Sequence, residues 1–223
     1  MFEKLAYVEA KEGIVRNSIP KLTSKIEQSI LSKIRSFPMT IGGRSVRSGP
    51  ESINFSRKVG YFLQVINFQP RVVDGLGNLR SPSEFKSLSF RSSAEQYAAL
   101  ALLNSNLFYW FITIYSDCRH LNKREIDSMP FPDQLIQKEK INSRLKEDIE
   151  ALMENLRQTA DTRTMRFRHD HLIIECIIPK LSKSLIDNID LHVADIFKFT
   201  DEETDFLVNY DIKYRIGGVD DDS

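Results

Sequence analysis

Leu22, Ile26, Ile30 and Ile34 recur every fourth position with Lys25, Glu27 and Lys33 between them, and Pro20 and Pro38 bound the run. This spacing predicts an amphipathic helix over residues 21–35. Residues 40–92 have a different texture, holding six of the nine glycines and three prolines. Short β-rich runs (Ser52-Ile-Asn-Phe, Tyr61-Phe-Leu-Gln-Val-Ile, Arg71-Val-Val) alternate there with the turn signals Gly42-Gly43, Gly49-Pro50 and Asp74-Gly75, predicting a small twisted antiparallel sheet. Ser93 with Gln96 three positions on has capping-box spacing. Residues 96–116 then carry no charge, but Asn104-Ser105-Asn106 falls at their midpoint. Two buried helices joined at that corner, ending near residue 115, fit this better than one span.

Residues 117–125 read as a polar, mostly basic connector, and Met129-Pro-Phe-Pro132 as an extended segment, since proline cannot continue a helix. From 133 to about 157, Leu135, Ile136, Ile141, Leu145, Ile149, Leu152, Met153 and Leu156 form one apolar stripe among charges, predicting a long helix that needs a packing partner. Residues 158–170 look loop-like. An apolar run over 172–178 stops at Pro179, Ser182 or Ser184 can cap a helix to about residue 197, and Thr200 with Glu203 gives a second capping box. The acidic tail Asp220-Asp-Asp222 is expected to be disordered. These elements describe an α+β chain: a small antiparallel β-rich domain with buried helices over residues 1–132, then a long helix and a short helical C-terminal region over 133–223.

A chain of 223 residues has room for one large domain or two small ones without disulfides or metal. Its net charge of zero, 31 basic against 31 acidic groups, argues against a nucleic-acid binder only until it is divided. Residues 1–130 carry 18 Lys plus Arg against 11 Asp plus Glu, and residues 131–223 carry 13 against 20. Within residues 14–124 the balance is 16 to 6. Asymmetry of this size points to a nucleic-acid or membrane partner for the basic portion. The alternative is that the charges steer the packing of the two portions. The first 19 residues lack a continuous apolar stretch of the signal-peptide kind, and Cys118 and Cys176 lie far apart, so a cytoplasmic protein is expected. A membrane span over 96–116 is disfavoured by the amides at its centre and by flanks lacking a one-sided Lys/Arg bias.

Catalytic constellations are scarce. No two prolines are adjacent, so the Asn/Asp/Ser-Pro-Pro-aromatic motif with which amino-group DNA methyltransferases hold a flipped base is missing. Gly75-Leu-Gly77 is a lone GxG in a turn, and no P-loop is present. Pro132-Asp133 is followed by Glu139-Lys140, but these adjacent residues do not fit the spacing of a metal-dependent nuclease. His169, His171 and Cys176 match no finger pattern and read as a polar loop entering a buried element. His120, beside Arg119, Lys123 and Arg124, has no carboxylate or thiol partner in local spacing and is better placed to donate to phosphate or base.

What remains is a basic set: Arg44, Arg47, Arg57, Lys58, Arg71, Arg80, Lys86 and Arg91 on short strands and turns, and Arg119, His120, Lys123 and Arg124 in the connector. Any one of them serves equally well to guard a sheet edge. Taken together, with so few carboxylates among them, they point to DNA, where guanidinium forks read guanine edges or clamp phosphates.

Leu102-Leu-Asn-Ser-Asn-Leu-Phe-Tyr-Trp-Phe111, Ser116-Asp-Cys-Arg-His-Leu-Asn-Lys-Arg-Glu-Ile126 and Met129-Pro-Phe-Pro132, in that order, resemble the target-recognition region of adenine-specific DNA methyltransferases of the single-polypeptide restriction-modification type. The opening Ile19-Pro-Lys-Leu-Thr-Ser-Lys-Ile-Glu-Gln-Ser-Ile-Leu31 and the ending Phe199-Thr-Asp-Glu-Glu-Thr-Asp-Phe-Leu-Val-Asn-Tyr-Asp-Ile-Lys-Tyr-Arg215 are similar to the same region, so the resemblance covers nearly the whole chain. It implies sequence-specific recognition of double-stranded DNA in a restriction-modification system. S-adenosylmethionine would be bound not here but in a catalytic methyltransferase domain or subunit, because the pocket and Pro-Pro motif of such enzymes have no counterpart in this sequence. In the related type I specificity subunits a long helix docks on a partner, similar in placement to residues 133–157. The rival expectation is a helical scaffold protein with that helix as its dimerisation seam and no DNA role.

Overall fold

The computed structural model describes Val15 and residues 18–137, 140–168 (Gln137 and Lys140 by backbone alone) and 170–216. The expectations placed on the first residues, on Glu139 and His169, and on the acidic tail lie outside them. In chain order the elements are α1 (Lys25–Arg35), α2 (Ile41–Arg44), β1 (Glu51–Ser56), β2 (Val65–Ile66), β3 (Val72–Asp74), β4 (Phe85–Phe90), α3 (Ser93–Asn104), α4 (Asn106–Tyr115), α5 (Lys123–Ser128), β5 (Ile136–Gln137), β6 (Lys140–Ile141), α6 (Ser143–Gln158), β7 (Asp161–Arg166), β8 (His171–Cys176), α7 (Lys183–Phe197), α8 (Asp201–Val208) and α9 (Ile212–Ile216). Helices and small antiparallel sheets together make an α+β fold.

At the centre stands α3, whose sequence is apolar on every side and which is therefore buried all round. One side packs on the first sheet, of order β2-β1-β4, in which Ile53 faces Leu88 and Asn54 faces Ile66. The other meets α6, α7 and the β5–β6 hairpin. Ser105 ends α3 and starts α4, turning the chain by 65°. Its hydroxyl donates to Leu102 O (2.6 Å) and accepts from Phe108 N (3.3 Å), while Asn104 Nδ2 donates to Val65 O (2.9 Å) and anchors the corner to β2. No single helix among the described residues is long and apolar enough to cross a membrane, and the two helices that share this corner are buried inside the protein. Trp110, Phe108, Phe111, Phe90 and Phe131 are the largest side chains buried in the core, along with Phe197. Trp110 Nε1 donates to the buried Glu27 carboxylate (3.2 Å), whose other oxygen accepts from Thr23 N (2.7 Å) at the start of α1.

Met129–Pro132 is extended, as its prolines require, but it is buried: Phe131 N donates to Met39 O (2.8 Å), and Ile41 N to Met129 O (2.9 Å). Sheet and core both continue past position 132. Strand β3 leaves the β-rich region to join a second antiparallel sheet of order β3-β8-β7, with Val72 opposite Ile174. The apolar stripe of α6 (Leu145, Ile149, Leu152, Met153 and Leu156) is buried against α3 and α7, so it is not available as a seam between copies.

Several boundaries differ from the periodicity. The long helix starts at Ser143, ten residues later than its apolar spacing suggested. Asn142 Oδ1 accepts from Arg144 N (2.9 Å), which fixes the start, while Leu135, Ile136 and Ile141 belong to a 3-10 turn and a hairpin whose spacing imitates a helix face. Residues 161–166, read as loop, form β7, because Thr162 and Thr164 alternate opposite β8 while their polarity hides the strand. The cap of α3 is Ser92 with Glu95, one position before the expected pair. Ser182 Oγ donates to Asn155 Oδ1 (2.7 Å) instead of capping α7. The Thr200–Glu203 capping box on α8 is present.

Candidate nucleic-acid interface

Beyond Ser56 the chain leaves β1 at a rim where three loops are stitched together. Arg57 N donates to Glu84 O (2.9 Å), Leu121 N to Arg57 O (2.8 Å) and Val59 N to Arg119 O (3.4 Å), with a β-bridge between Lys58 and His120. Lys86 on β4 lies opposite Phe55, two residues before Arg57. Arg57, Lys58, Lys86, Arg119 and His120, separated by up to 63 positions in sequence, thus meet on one exposed edge.

The connector is a built loop rather than a slack one. Cys118 sits in the left-handed region (φ 58°), and its N–H donates to Ser116 Oγ (3.0 Å). Asp117 turns its carboxylate back onto Arg119 N (3.1 Å), and this backbone hydrogen bond is the main cause that lowers its pKa. Leu121, fully buried, pins the loop to the core. Asp117 bonds the backbone first and also attracts Arg119 and His120, and Glu84 adds a second exposed carboxylate to a rim whose basic residues face solvent.

The twelve basic residues expected to touch DNA separate by what holds them. Arg44 pairs with Asp133 and with Glu95 (3.7 Å) and lies over the Phe131 ring (5.6 Å). Arg91 approaches the same Glu95 (4.0 Å) and donates to Arg44 O (3.2 Å). These two pin α2 to the start of α3. Lys123 pairs with Asp127 (2.6 Å) and Arg124 with the buried Glu125 (2.9 Å) along α5. Arg80 pairs with Asp74 (2.8 Å). Arg47, Arg57, Lys58, Arg71, Lys86 and Arg119 are exposed, and their side chains have no ion pair among the described residues. Of these six, Arg57, Lys58, Lys86 and Arg119 converge on the rim, Arg47 lies between α2 and β1, and Arg71 opens β3 in the second sheet.

Two features had a weaker sequence signal. The β7–β8 hairpin places Arg163, Arg166 and Arg168 on an exposed ribbon in the otherwise acidic portion, and only the alternation Thr162-Arg-Thr-Met-Arg166 marked it. The other is a buried polar chain. Arg215 Nη1 donates to Asn106 Oδ1 (2.5 Å), and Asn106 in turn donates through its side chain and through its backbone N (2.8 Å) to Asp190. Burial pushes the Asp190 carboxyl up to about 7, against the bonds from Asn106, and burial lowers the pKa of Arg215. No group of three His, Cys, Asp or Glu side chains suited to a metal occurs among the described residues.

No protein-family model, curated protein or solved structure matches the chain.

Proposed function

We propose that this chain is a sequence-recognition module for double-stranded DNA that works with a catalytic adenine-methyltransferase domain or subunit outside this sequence. The observation that supports it best is the rim, where Arg57, Lys58 and Arg119, without ion pairs among the described residues and with His120 beside them, are fixed by main-chain hydrogen bonds between two loops and Lys86 is added from β4. A pre-ordered row of guanidinium and ammonium groups suits phosphates, which set position, and it leaves side chains on the strand ends to read base edges. The segment carrying Arg119 and His120 is also one of those that resemble the methyltransferase target-recognition region. S-adenosylmethionine and the methyl transfer belong to the partner in this reading.

Duplex binding followed by fluorescence anisotropy between about 50 and about 200 mM salt tests it, because each neutralised phosphate contributes about 0.9 to the slope of log K against log salt. Changing Arg57, Lys58 and Arg119 together to Ala is expected to reduce that slope by about 2.7, which makes the fall in affinity over this range about 40-fold smaller. Lys123→Ala with Arg124→Ala, which removes cations already paired to Asp127 and Glu125, should change it less. Absence of salt-dependent binding by the unaltered chain would refute the reading.

A further inference from the structure

The second sheet ends in an exposed ribbon. Every residue of β7 is exposed, and β7 is the outer strand of the sheet. Phe167 N donates to Asp170 O (2.7 Å), closing the hairpin. Asp170 Oδ1 accepts from His171 N (2.7 Å) and from Gly75 N (3.2 Å), so the tip is tied to the turn after β3. The approach is close: a Cβ on residue 75 would lie 2.5 Å from that carboxylate oxygen, so a larger residue would push the Asp170 side chain aside. The turn itself is held by Asp74, which accepts from Asn78 N (2.8 Å), Leu76 N (3.0 Å) and Arg80 Nε (2.8 Å). The ribbon's tip is thus tied back to the turn after β3.

Between Asp161 and Cys176 three arginines stand against three carboxylates, Asp161, Asp170 and Glu175, but towards the tip two of the arginines are left without an ion pair among the described residues. Asp161 pairs with Arg163 (3.5 Å) and Asp170 faces backbone amides, whereas Arg166 and Arg168 are exposed and unpaired among the described residues. Arg166 shares a sheet face with Thr164, His171 and Ile173, and these residues, with Phe167 and Asp170, line an open hollow. Arginines on an outer strand would suffice as guards against edge pairing. That role does not account for Met165 and Phe167, which are half exposed beside them and would promote pairing.

We propose that the β7–β8 ribbon is a second DNA-contacting element that enters a groove of the duplex held by the rim, with Arg166 and Arg168 at phosphates or base edges and Phe167 in apolar contact. This rests on the DNA reading above. A two-stranded ribbon fits a major groove about 12 Å wide, and an aromatic side chain there can pack on thymine methyl groups. Arg80, hydrogen-bonded to Val72 at the base of the ribbon's sheet, precedes Phe85 on β4 by five residues, so at most about 18 Å of extended chain separates the second sheet from the strand that carries Lys86.

The full chain, an Arg166→Ala/Arg168→Ala variant, a Phe167→Ala variant and a charge-matched control, Lys25→Ala/Arg144→Ala, would be titrated with the same labelled duplex, with circular dichroism verifying the fold of each. The arginine variant is expected to lower the salt slope by about 1.8, shrinking the fall in affinity between about 50 and about 200 mM salt by about 12-fold. Phe167→Ala should weaken binding several-fold with the slope unchanged, and the control should match the parent. If the parent binds DNA and the arginine variant keeps its slope, the ribbon proposal is overturned while the rim reading stands, and the ribbon is assigned to protein contact. If the parent does not bind, both fall together.

Discussion

Asn106→Ala is expected to be among the most destabilising single substitutions in this protein, although Asn106 is a polar residue. The side chain is fully buried and links the Arg215 guanidinium to the Asp190 carboxyl, accepting from Arg215 Nη1 and donating to Asp190 Oδ2 and to Asp187 (3.3 Å). Alanine keeps the backbone bond from residue 106 to Asp190 Oδ1 but leaves a guanidinium N–H and a carboxylate oxygen without partners. Each unsatisfied buried polar group costs about 1–3 kcal/mol, more when charged, and two such groups are left here. The loss should therefore be about 3–5 kcal/mol. Arg215 also donates to Tyr61 O (2.9 Å) and stacks on Phe62 (4.2 Å) and Tyr109 (4.5 Å), so α9 should stay docked and the loss should be confined to the polar chain. Urea unfolding followed by tryptophan fluorescence reads this directly, because Trp110 lies one helical turn along α4. A loss below about 1 kcal/mol with an unchanged m-value would refute the reasoning, since it would mean that water or a rotamer change satisfies both charges at little cost.

Other outcomes follow from the same packing. Since burial raises the folded-state pKa of Asp190 to about 7 while the unfolded chain keeps an ordinary carboxylate value, its contribution to stability is complete below about pH 4 and is lost as pH rises to about 7. Asp190→Asn should therefore flatten the pH dependence of the urea midpoint across that window; an identical profile would count against it. Glu203 has the opposite sign. Burial alone would raise its pKa, but bonds from Lys33, Ser29 and the Thr200 amide outweigh this and hold it low. Its contribution is present above the ordinary carboxylate range and lost on acidification, and Glu203→Gln should remove that loss. Gly49→Ala would put a Cβ 2.1 Å from Phe90 O and should cost about 1–3 kcal/mol in thermal unfolding. Gly60→Ala, whose nearest atom would be 3.6 Å away, should be neutral or slightly stabilising, and similar melting points for the two would contradict the geometry.

Much of this architecture is legible in the sequence where one signal dominates. The uncharged run broken at Asn104-Ser105-Asn106 gives the two central helices and their corner, because hydrogen-bonding side chains there have a local role that lipid could not offer. The glycine-rich stretch likewise gives the first sheet. Less legible is whatever depends on partners distant in sequence. Nothing near Val72 indicates that it pairs with Ile174 rather than with a neighbouring strand, and Thr162 to Arg166 carries too little apolar character to announce an outer strand. Positive charge was visible in the candidate site, but availability was not. Arg44 and Arg57 look alike along the chain, and only the position of Glu95 and Asp133 separates a fold-pinning arginine from a free one.

The pairing of β3 with β8 also governs the order in which this chain can become a protein. Val72 waits for Ile174, a sequence separation of about one hundred residues, so the closing entropy must be met before the second sheet contributes anything, and such distant contacts slow folding. On the ribosome, at about 5–20 residues per second, the earlier strands would spend several seconds without their partner. The solvent-facing turn at Asp74–Asn78, closed by its own carboxylate, forms locally and keeps β3 in shape during that interval. Chains ended before Leu172 should thus retain a preformed turn but an unpaired strand, making nascent or proteolysed fragments, rather than the finished molecule, the species most prone to aggregate.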